Sequence, residues 1–536
     1  MFAPCSHRPA GPPGLFALLA LGALAGACLP ARTQPPLDIS FADVTAASGL
    51  PTAVQSAVLA VRDFDQDGWP DLLVLDASWH LVIYRNHGLG LFDRRPVDAA
   101  LPSHVSACTA GDLDGDGYPD IVCGGDDAYV LLHNDGTSGF SFQQVAIAGT
   151  PTARPTAIVI ADFQGNGHPE AVAGSFPNFP SSFGPCTVRP DRTTCQFEGA
   201  GPTAYGLDRI RLGAGGGYES TPIAEIPPSH TNDLEVLDWN GDGRPDLFQS
   251  DDFDVDHLWV QDADGRFHDQ WPALGASQYN HGMGVTFADF DGDGGWDAYV
   301  DEVGPGELWL SRGPRLTEGS AALGLLAPTA DTATWAPLAA DFDNDGDADL
   351  FVAATAHAAS ASGLVQVLRG DPTPNSLPKL QGDDLFENRF SEKAGFAHGF
   401  VPAPGRLKSV GLGLVAAADF DGDGLVDVIE LIEGWDSGAL RLLHNTSATG
   451  NHWLGLQLEG HVPQVTSAGA TVIVTAGGRE VGRVFDGPRG LGVSSEVLHF
   501  GLGPATSCHV QVLLPGGQRR EFDVARVDRV IVYDEL

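Results

Sequence analysis

The chain has 536 residues, of which 43% are apolar, and it carries 70 acidic against 29 basic side chains, for a formal net charge of −41 at pH 7. A chain of this length and apolar content can bury large hydrophobic cores. The negative charge and the lack of a basic stretch exclude a nucleic-acid-binding protein of the usual basic kind.

Residues 1–33 have the parts of an export signal, with Arg8 before the apolar run Leu15–Leu24 and the small residues Ala25–Ala27 after it. This run is too short to span a bilayer comfortably. Cys28 follows directly, which leaves two alternatives open, a lipid anchor at Cys28 or plain secretion. We therefore expect a protein that is secreted or held at the cell surface or in the periplasm. The scarcity of lysine beside abundant alanine and glycine is typical of a GC-rich bacterial genome.

An acidic loop of the pattern D-x-D-x-D-G-x-x-D, or a close variant, occurs seven times, and its copies begin at Asp63, Asp112, Asp162, Asp238, Asp289, Asp341 and Asp419. The side chains at positions 1, 3, 5 and 9 and the backbone carbonyl at position 7 can surround a hard cation with oxygen, and glycine at position 6 permits the sharp turn. An EF-hand needs glutamate at position 12, where Val74 and Val300 stand here. One copy is equally compatible with a plain acidic turn, but seven copies between apolar runs predict strand–loop–strand calcium sites.

Six of the loops have nearly complete sets of calcium ligands, and the third is degraded. The predicted ligands are Asp63, Asp65, Asp67, Trp69 and Asp71; Asp112, Asp114, Asp116, Tyr118 and Asp120; Asp238, Asn240, Asp242, Arg244 and Asp246; Asp289, Asp291, Asp293, Gly295 and Asp297; Asp341, Asp343, Asp345, Asp347 and Asp349; and Asp419, Asp421, Asp423, Leu425 and Asp427. Trp69, Tyr118, Arg244, Gly295, Asp347 and Leu425 contribute through their backbone carbonyls. The third loop has Asp162, Gln164, Asn166, His168 and Glu170, and its smaller charge predicts the weakest site or an empty one. We expect about six to seven calcium ions in all.

Most loops begin about 50 residues after the previous one, which suits one four-stranded propeller blade per repeat. The spacing predicts an all-β protein with a seven-bladed propeller over residues 37–446 and insertions at about 174–205 and 355–405. In the first blade we expect strands at Ser56–Val61, Leu72–Leu75, Leu81–Tyr84 and Leu91–Val97. The last blade is one strand short, so Ile39–Thr45 is predicted to supply that strand and close the ring.

Residues 451–536 lack the loops and show short alternating strands with glycine turns, which predict a small, separate, sandwich-like β domain. The expected strands are Trp453–Leu458, Ala470–Thr475, Val497–Phe500, Val510–Leu514 and Val530–Val532. Leu454, Leu456 and Leu458 alternate and are predicted to fill its core, with Trp453 on the opposite face.

Seven cysteines are present, and two of them, Cys5 and Cys28, belong to the signal region. An exported protein can form disulfides. Cys108 with Cys123 and Cys186 with Cys195 are the plausible pairs, and Cys508 is left over as a buried thiol. The spacing alone does not decide these pairings.

The loops resemble the FG-GAP/VCBS repeats of integrin α-like propellers over roughly residues 55–445. The segments Gly282–Asp291 and Phe41–Leu50 resemble the cartilage acidic protein family. Asn451–Leu454, Gly469–Val472, Leu498–Gly503 and Leu514–Gly517 are similar to the ASPIC/UnbV domain that ends proteins of that family. The resemblance implies a secreted, calcium-stabilised propeller with a β appendage, and it implies no defined activity.

Three functions stay open at this point. The first is an extracellular binding or adhesion module for a protein or glycan, whose insertions carry aromatic residues that either stack on sugars or pack onto the propeller: Phe176, Phe179, Phe183, Tyr205, Phe386 and Phe390. The second is a calcium-dependent polysaccharide lyase or hydrolase, with the candidate acid–base groups His230, His281, His357, Asp233 and Asp331. The third is a scaffold protein of the cell envelope. The sequence identifies neither a ligand nor an oligomeric state.

Overall fold

The computed structural model describes residues 39–533 with gaps, and all elements below belong to the compact unit Leu37–Leu536. The residues outside the description are 1–38, 52, 137–141, 150, 152–153, 177–182, 190–191, 198–203, 253–254, 277–281, 303–305, 324, 326–331, 358–383, 389–399, 403–413, 435–436, 459–468, 486–491, 495 and 534–536. Within the described part, no helix is long and apolar enough to cross a membrane.

The chain is an all-β protein, as the sequence predicted. After β1 (Phe41–Asp43) and the short helix α1 (Thr45–Ser48), the described strands follow one another in four-stranded antiparallel units. The first unit contains β2 (Val54–Arg62), β3 (Asp71–Asp76), β4 (Leu81–Asn86) and β5 (Phe92–Pro96). The second contains β6 (Ala107–Gly111), β7 (Asp120–Gly124), β8 (Tyr129–Asn134) and β9 (Phe142–Ala148). The strands expected in the first repeat are therefore confirmed.

The third and fourth units follow the same plan. The third contains β10 (Pro155–Ala161) and β11 (Glu170–Ser175), then a separate hairpin of β12 (Phe183–Arg189) and β13 (Arg192–Phe197), then β14 (Asp208–Leu212) and β15 (Tyr218–Pro222). The fourth contains β16 (Thr231–Leu237), β17 (Asp246–Asp251), β18 (His257–Gln261) and β19 (Phe267–Asp269), with the helix α2 (Trp271–Leu274) after it. The hairpin lies within the insertion that the sequence predicted at about 174–205.

The remaining units complete the main part of the chain. The fifth contains β20 (Gly282–Ala288), β21 (Asp297–Glu302), β22 (Glu307–Arg312) and β23 (Arg315–Glu318), followed by helix α3 (Ser320–Leu323). The sixth contains β24 (Thr332–Ala340), β25 (Asp349–His357), β26 (Asp384–Asn388) and β27 (Phe400–Pro402), and the last contains β28 (Leu414–Ala418), β29 (Asp427–Gly434) and β30 (Ser437–Asn445). The insertion predicted at 355–405 is too wide, because β26 and β27 are the third and fourth strands of the sixth unit.

The first strands of the units form a closed ring, which is the arrangement of a β-propeller. Strands β2, β6, β10, β16, β20, β24 and β28 contact one another in this order, and β28 contacts β2. The missing strand of the last unit is β1, which pairs antiparallel with β30 through Phe41 and Asn445. The predicted closure of the ring by the N-terminal segment is thus confirmed. Closure removes an exposed sheet edge.

The hydrophobic core lies between neighbouring units. One buried cluster joins Leu72 and Val74 of the first unit to Ile429 and Leu431 of the last, and further clusters repeat this arrangement around the ring. Strand β20 is buried along its whole length because neighbouring units pack on both of its faces. For this reason the inner strands are apolar or small at nearly every position.

The C-terminal strands form two sheets of their own. Their bounds are β31 (His452–Leu458), β32 (Ala470–Ala476), β33 (Arg479–Phe485), β34 (Gly492–Ser494), β35 (Val497–Gly503), β36 (Cys508–Leu513), β37 (Arg519–Val524) and β38 (Arg529–Tyr533). The sheet order is β35-β31-β38 in one sheet and β33-β32-β36-β37 in the other. Leu454, Leu456 and Leu458 are buried in the core between them, as predicted.

The C-terminal strands have a core of their own but also pack on the propeller, a contact that the sequence did not predict. Strand β34 leaves both sheets and pairs in parallel with β28, the inner strand of the last propeller unit. It also contacts β2, β20 and β24, so it lies among the inner strands of the ring. Directly after it, Glu496 Oε1 lies 3.6 Å from Arg62 Nε at the end of β2. The two parts of the chain therefore share a packed interface.

The cysteines behave largely as expected. Cys108 in β6 and Cys123 in β7 are register partners and form a disulfide, with their Cα atoms 4.1 Å apart. Cys186 and Cys195 are register partners in the hairpin β12–β13, and their side chains lie outside the described part. Cys508 is a buried free thiol, and burial raises its pKa to about 11.

Candidate metal centre

All seven acidic loops lie at the same end of the propeller ring. Each loop joins the inner strand of its unit to the second strand: β2 to β3, β6 to β7, β10 to β11, β16 to β17, β20 to β21, β24 to β25 and β28 to β29. Because the connection is the same in each unit, the loops form a circle around the entrance to the axis. We call this side of the molecule the loop face.

The turn of each loop is held by its first aspartate. Asp63 accepts hydrogen bonds from the backbone N–H of Asp67 (3.1 Å) and Gly68 (2.7 Å). Asp341 accepts the same pair from Asp345 (3.1 Å) and Gly346 (2.8 Å). The position 6 glycines all have φ between +79° and +92°, a region that favours glycine. The predicted reason for glycine at this position is therefore confirmed.

The ninth residue of the loop joins it to the rest of the blade. Asp71 accepts one hydrogen bond from the backbone of Phe64 inside the loop (3.1 Å) and one from Asn86 on the third strand (2.8 Å). Asp297 repeats this with Phe290 (2.9 Å) and Ser311 (2.7 Å). The position 9 carboxylate is thus fully buried at the base of the loop.

The carboxylates of several loops converge. Ligand atoms within 4.8 Å of one another occur in the groups Asp63, Asp65 and Asp71; Asp112, Asp114 and Asp116; and Asp289, Asp291 and Asp297. Two further groups include a histidine from the third strand: Asp114, Asp120 and His133; and Asp421, Asp423 and His444. These histidines were not among the predicted ligands. The signal was the repeated pair His-Asn at the end of the third strand, as in His133-Asn134 and His444-Asn445.

Burial makes these carboxylates difficult to ionise without a cation. Desolvation, together with the nearby charges of Asp65 and Asp63, raises the pKa of Asp71 to about 9. The same cause raises the pKa of Asp297 to about 8 and that of Asp246 to about 7. Asp65 Oδ1 and Asp291 Oδ1 are buried and accept no hydrogen bond from a described residue. An all-oxygen site with excess negative charge and free acceptor atoms fits a hard divalent cation.

Asparagine side chains connect neighbouring loops, a feature that the sequence analysis missed. Asn134 Nδ2 donates to the backbone carbonyl of Phe64 in the first loop (3.0 Å). Asn86 donates to Phe420 O in the last loop (2.9 Å), and Asn445 donates to Phe342 O in the sixth (2.8 Å). The order of one loop therefore depends on the blade next to it.

The third loop has amide side chains among its predicted ligands, and its weaker calcium binding stays a prediction. The Gln164 amide hydrogen-bonds Glu170 at position 9, and Arg209 Nε lies 3.3 Å from the second oxygen of that carboxylate. Asn166 Nδ2 donates to Gln164 Oε1 at 3.2 Å. The amide side chains of Gln164 and Asn166 thus stand where other loops have carboxylates. A guanidinium partner is shared with complete loops, since Arg85 pairs with Asp65 and Asp67. Arg312 likewise pairs with Asp291 and Asp293. His168, at position 7, donates its backbone N–H to Asn166 (2.9 Å).

The candidate acid–base residues are only partly described. His230 and Asp233 are buried at the start of the fourth unit, where Asp233 accepts the backbone N–H of Leu234 (2.9 Å). His281 and Asp331 lie outside the described residues, and of His357 only the backbone in β25 is described.

The aromatic residues expected to line the insertions are also partly described. Tyr205 pairs through its backbone with Ser229, and Phe176 is half-buried. Phe183 and Phe386 are described by backbone only, and Phe179 and Phe390 lie outside the described residues.

Comparison with known proteins agrees with this architecture. The FG-GAP-like repeat matches residues 63–123, 112–173 and 238–300, which contain the first five loops. The ASPIC and UnbV family matches residues 463–535. The chain combines FG-GAP-like repeats with an ASPIC/UnbV domain. The resemblance noted in the sequence is confirmed.

Curated relatives with this similarity include cartilage acidic protein 1 of Homo sapiens, 28% identical over 290 residues, and that of Mus musculus, 27% identical over 287 residues. Each match covers 52% of this chain and about two fifths of the relative, 40% and 41%. This chain thus spans less than half the length of these relatives.

Among solved structures, an Agrocybe aegerita lectin described as recognising non-reducing terminal N-acetylglucosamine aligns with 73% of this chain and 94% of its own, at 14% identity and a TM-score of 0.37. A likeness of this size says nothing about the ligand of this chain.

Proposed function

We propose that this protein is an exported, calcium-binding β-propeller that serves as an extracellular binding module for a protein or glycan. The observation that carries the proposal is the circle of acidic loops, in which carboxylate oxygens converge within 4.8 Å and some buried ones accept no hydrogen bond from a described residue. Calcium supplies the positive charge that lets these carboxylates ionise together.

The donor set favours calcium over other metals. Each complete loop offers oxygen atoms from positions 1, 3, 5 and 9 and a carbonyl at position 7, and calcium takes six to eight oxygen ligands in flexible geometry. The ligands would be the side chains and carbonyls already named for the six complete loops. The first-position aspartates also order the turn through backbone hydrogen bonds, so the loop is shaped before an ion binds.

The division of labour within the chain is also part of the proposal. Residues 1–33 direct export, residues 37–446 form the calcium-binding propeller and residues 451–536 form the ASPIC/UnbV domain. Since C-terminal strands pack on the loop face, we place the ligand-binding surface on the insertion near 174–205 and on the opposite end of the ring. Loops on a rigid scaffold are the usual place for such surfaces.

The proposal is tested by calorimetry and by binding. The melting temperature of the protein should be much higher in calcium than in EGTA. Each site contributes about 2.7 kcal/mol to stability when the calcium concentration is about 100 times its Kd. An unchanged melting temperature would show that the loops are plain acidic turns. Arrays of glycans and extracellular matrix proteins, probed in calcium and in EGTA, then test the binding role, which fails if no calcium-dependent ligand is found.

A further inference from the structure

The sixth loop, residues 341–349, differs from the other loops in its surroundings. Its side chains Asp341, Asp343, Asn344 and Asp347 are 2%, 5%, 2% and 5% exposed, although the loop lies at the surface of the propeller. The cover is provided by the C-terminal strands and the linker that leads to them. The second-loop residues equivalent to Asp343 and Asn344 are Asp114 and Gly115, and both are exposed.

The cover is built from hydrogen bonds to consecutive backbone carbonyls of the loop. Thr449 Oγ1 and Asn451 Nδ2 donate to Asp343 O at 2.8 and 2.9 Å. The backbone N–H of Gly503 donates to Asn344 O at 2.8 Å. Arg479 Nη1 donates to Asp345 O at 2.9 Å. Arg479 Nη2 also donates to Gly346 O at 3.2 Å. Four successive carbonyls therefore hold three separate segments of the C-terminal part.

Side chains reinforce this contact. The sixth loop has a fifth carboxylate, Asp347, at position 7, where only the backbone carbonyl is a predicted ligand. That carboxylate pairs with Arg479 of β33. His499 Nε2 lies 2.6 Å from Asn344 Oδ1. The extra negative charge of this loop is thus matched by a cation from the C-terminal part.

The docking contacts and the predicted metal ligands use different atoms of the same nine residues. The metal ligands are the side chains of Asp341, Asp343, Asp345 and Asp349 and the carbonyl of Asp347. Docking uses the carbonyls of residues 343 to 346 and the Asp347 carboxylate. Both can be satisfied together, and both require the same loop shape.

We propose that the sixth loop is a calcium-dependent latch that holds the C-terminal strands on the propeller. The inference rests on the proposed calcium binding. Without a cation, the crowded carboxylates of the loop repel one another, the turn changes shape, and the row of carbonyls no longer matches its donors. By thermodynamic reciprocity, docking of the C-terminal strands raises the calcium affinity of this loop.

The first test is hydrogen exchange of the full chain in saturating calcium, measured by mass spectrometry. Asp345→Asn removes one carboxylate charge from the ligand set of the latch, and Asp116→Asn is the matched change at position 5 of the second loop. Asp345→Asn should raise exchange in residues 452–458 and 479–485 at least about tenfold, because these segments lose their anchor. Asp116→Asn should leave both segments as in the wild type. Wild-type exchange in the Asp345→Asn protein would overturn the proposal.

A neutral variant tests the reciprocal effect without altering the metal ligands or the net charge. Thr449→Val with Asn451→Ala removes both hydrogen bonds to Asp343 O, and Thr446→Val is the control, since Thr446 Oγ1 donates to Ser40 O at 3.1 Å instead. The calcium concentration that half-protects residues 341–349 should rise about three- to tenfold in the double variant. An unchanged midpoint would overturn the latch.

Equilibrium dialysis separates this inference from the proposed function. If the wild type binds several calcium ions but hydrogen exchange in the C-terminal segments does not depend on calcium, only the latch is wrong. If the wild type binds no calcium, both the calcium-binding function and the latch are wrong.

Discussion

Asn134 offers the sharpest test of the idea that neighbouring loops support one another. It ends the third strand of the second unit and is 2% exposed. Its amide donates to Phe64 O in the first loop (3.0 Å) and to Pro119 O in its own loop (3.4 Å), while its Oδ1 accepts the backbone N–H of Gly136 (3.2 Å). Asn134→Ala deletes all three bonds in one step.

The expected cost follows from these contacts. Three buried hydrogen bonds contribute about 1 kcal/mol each, and polar backbone groups left without partners add to the loss, so we expect a destabilisation of about 3 kcal/mol. The loss of stability should be larger in calcium than in EGTA, because the calcium-bound first loop then lacks the hydrogen bond from Asn134 to Phe64 O. Denaturant unfolding in calcium and in EGTA measures both parts.

Asn232→Ala is the matched control, because Asn232 Nδ2 donates to Gly282 O (2.9 Å) and so joins two units without contacting an acidic loop. Both variants should lose stability, but only Asn134→Ala should reduce the stabilisation by calcium. An equal calcium response in the two variants would refute the view that asparagines couple the loops, and an unchanged stability of Asn134→Ala would refute the energetic estimate.

Three further predictions concern other parts of the molecule. Gln164→Asp combined with Arg209→Leu should add one bound calcium ion in equilibrium dialysis, and Gln164→Asp alone should add less, because Arg209 still holds Glu170; an equal gain would contradict this. Gly424→Ala should destabilise the protein by about 2 kcal/mol or more in denaturant unfolding, since φ is +88° and the new Cβ would overlap the Trp453 indole. Gly478→Ala is the control, because its φ is +85° and the space around it is open, and it should cost only about 1 kcal/mol. Burial lowers the pKa of His499 to about 3. The free energy of unfolding should therefore be highest above the unfolded pKa of about 6.5 and should fall by up to about 2 kcal/mol between pH 7 and pH 5. His499→Gln should flatten this part of the stability profile, and a profile identical to wild type would show that another group titrates.

Much of the fold was accessible from local sequence patterns. The nine-residue loops hold their predicted ligands, their turn glycine and the start of the next strand within one short segment, so residue type and spacing were sufficient to locate them. The strand β1 was also predictable, because the last repeat lacked a strand and an N-terminal segment resembled the missing one.

Other features of the site depend on residues that are distant in the chain. The ligand set of the third loop could be identified as weak from Gln164 and Asn166, but the role of Arg209 required the pairing of β11 with β14. The asparagines that connect loops belong to a different unit from the carbonyl they bind, as Asn134 and Phe64 show. The outer strands of the sixth unit were mistaken for an insertion because the long segment before them hides the 50-residue period.

An all-β repeat protein with seven acidic loops could be recognised without coordinates, because period, glycine placement and carboxylate spacing are local properties of the chain. The entry of β34 into the ring and the cover of the sixth loop by the C-terminal strands became visible only in the folded molecule. Those contacts join residues more than a hundred positions apart, such as Arg479 and Asp347. They depend on the shape and charge of two assembled surfaces, which no local pattern encodes.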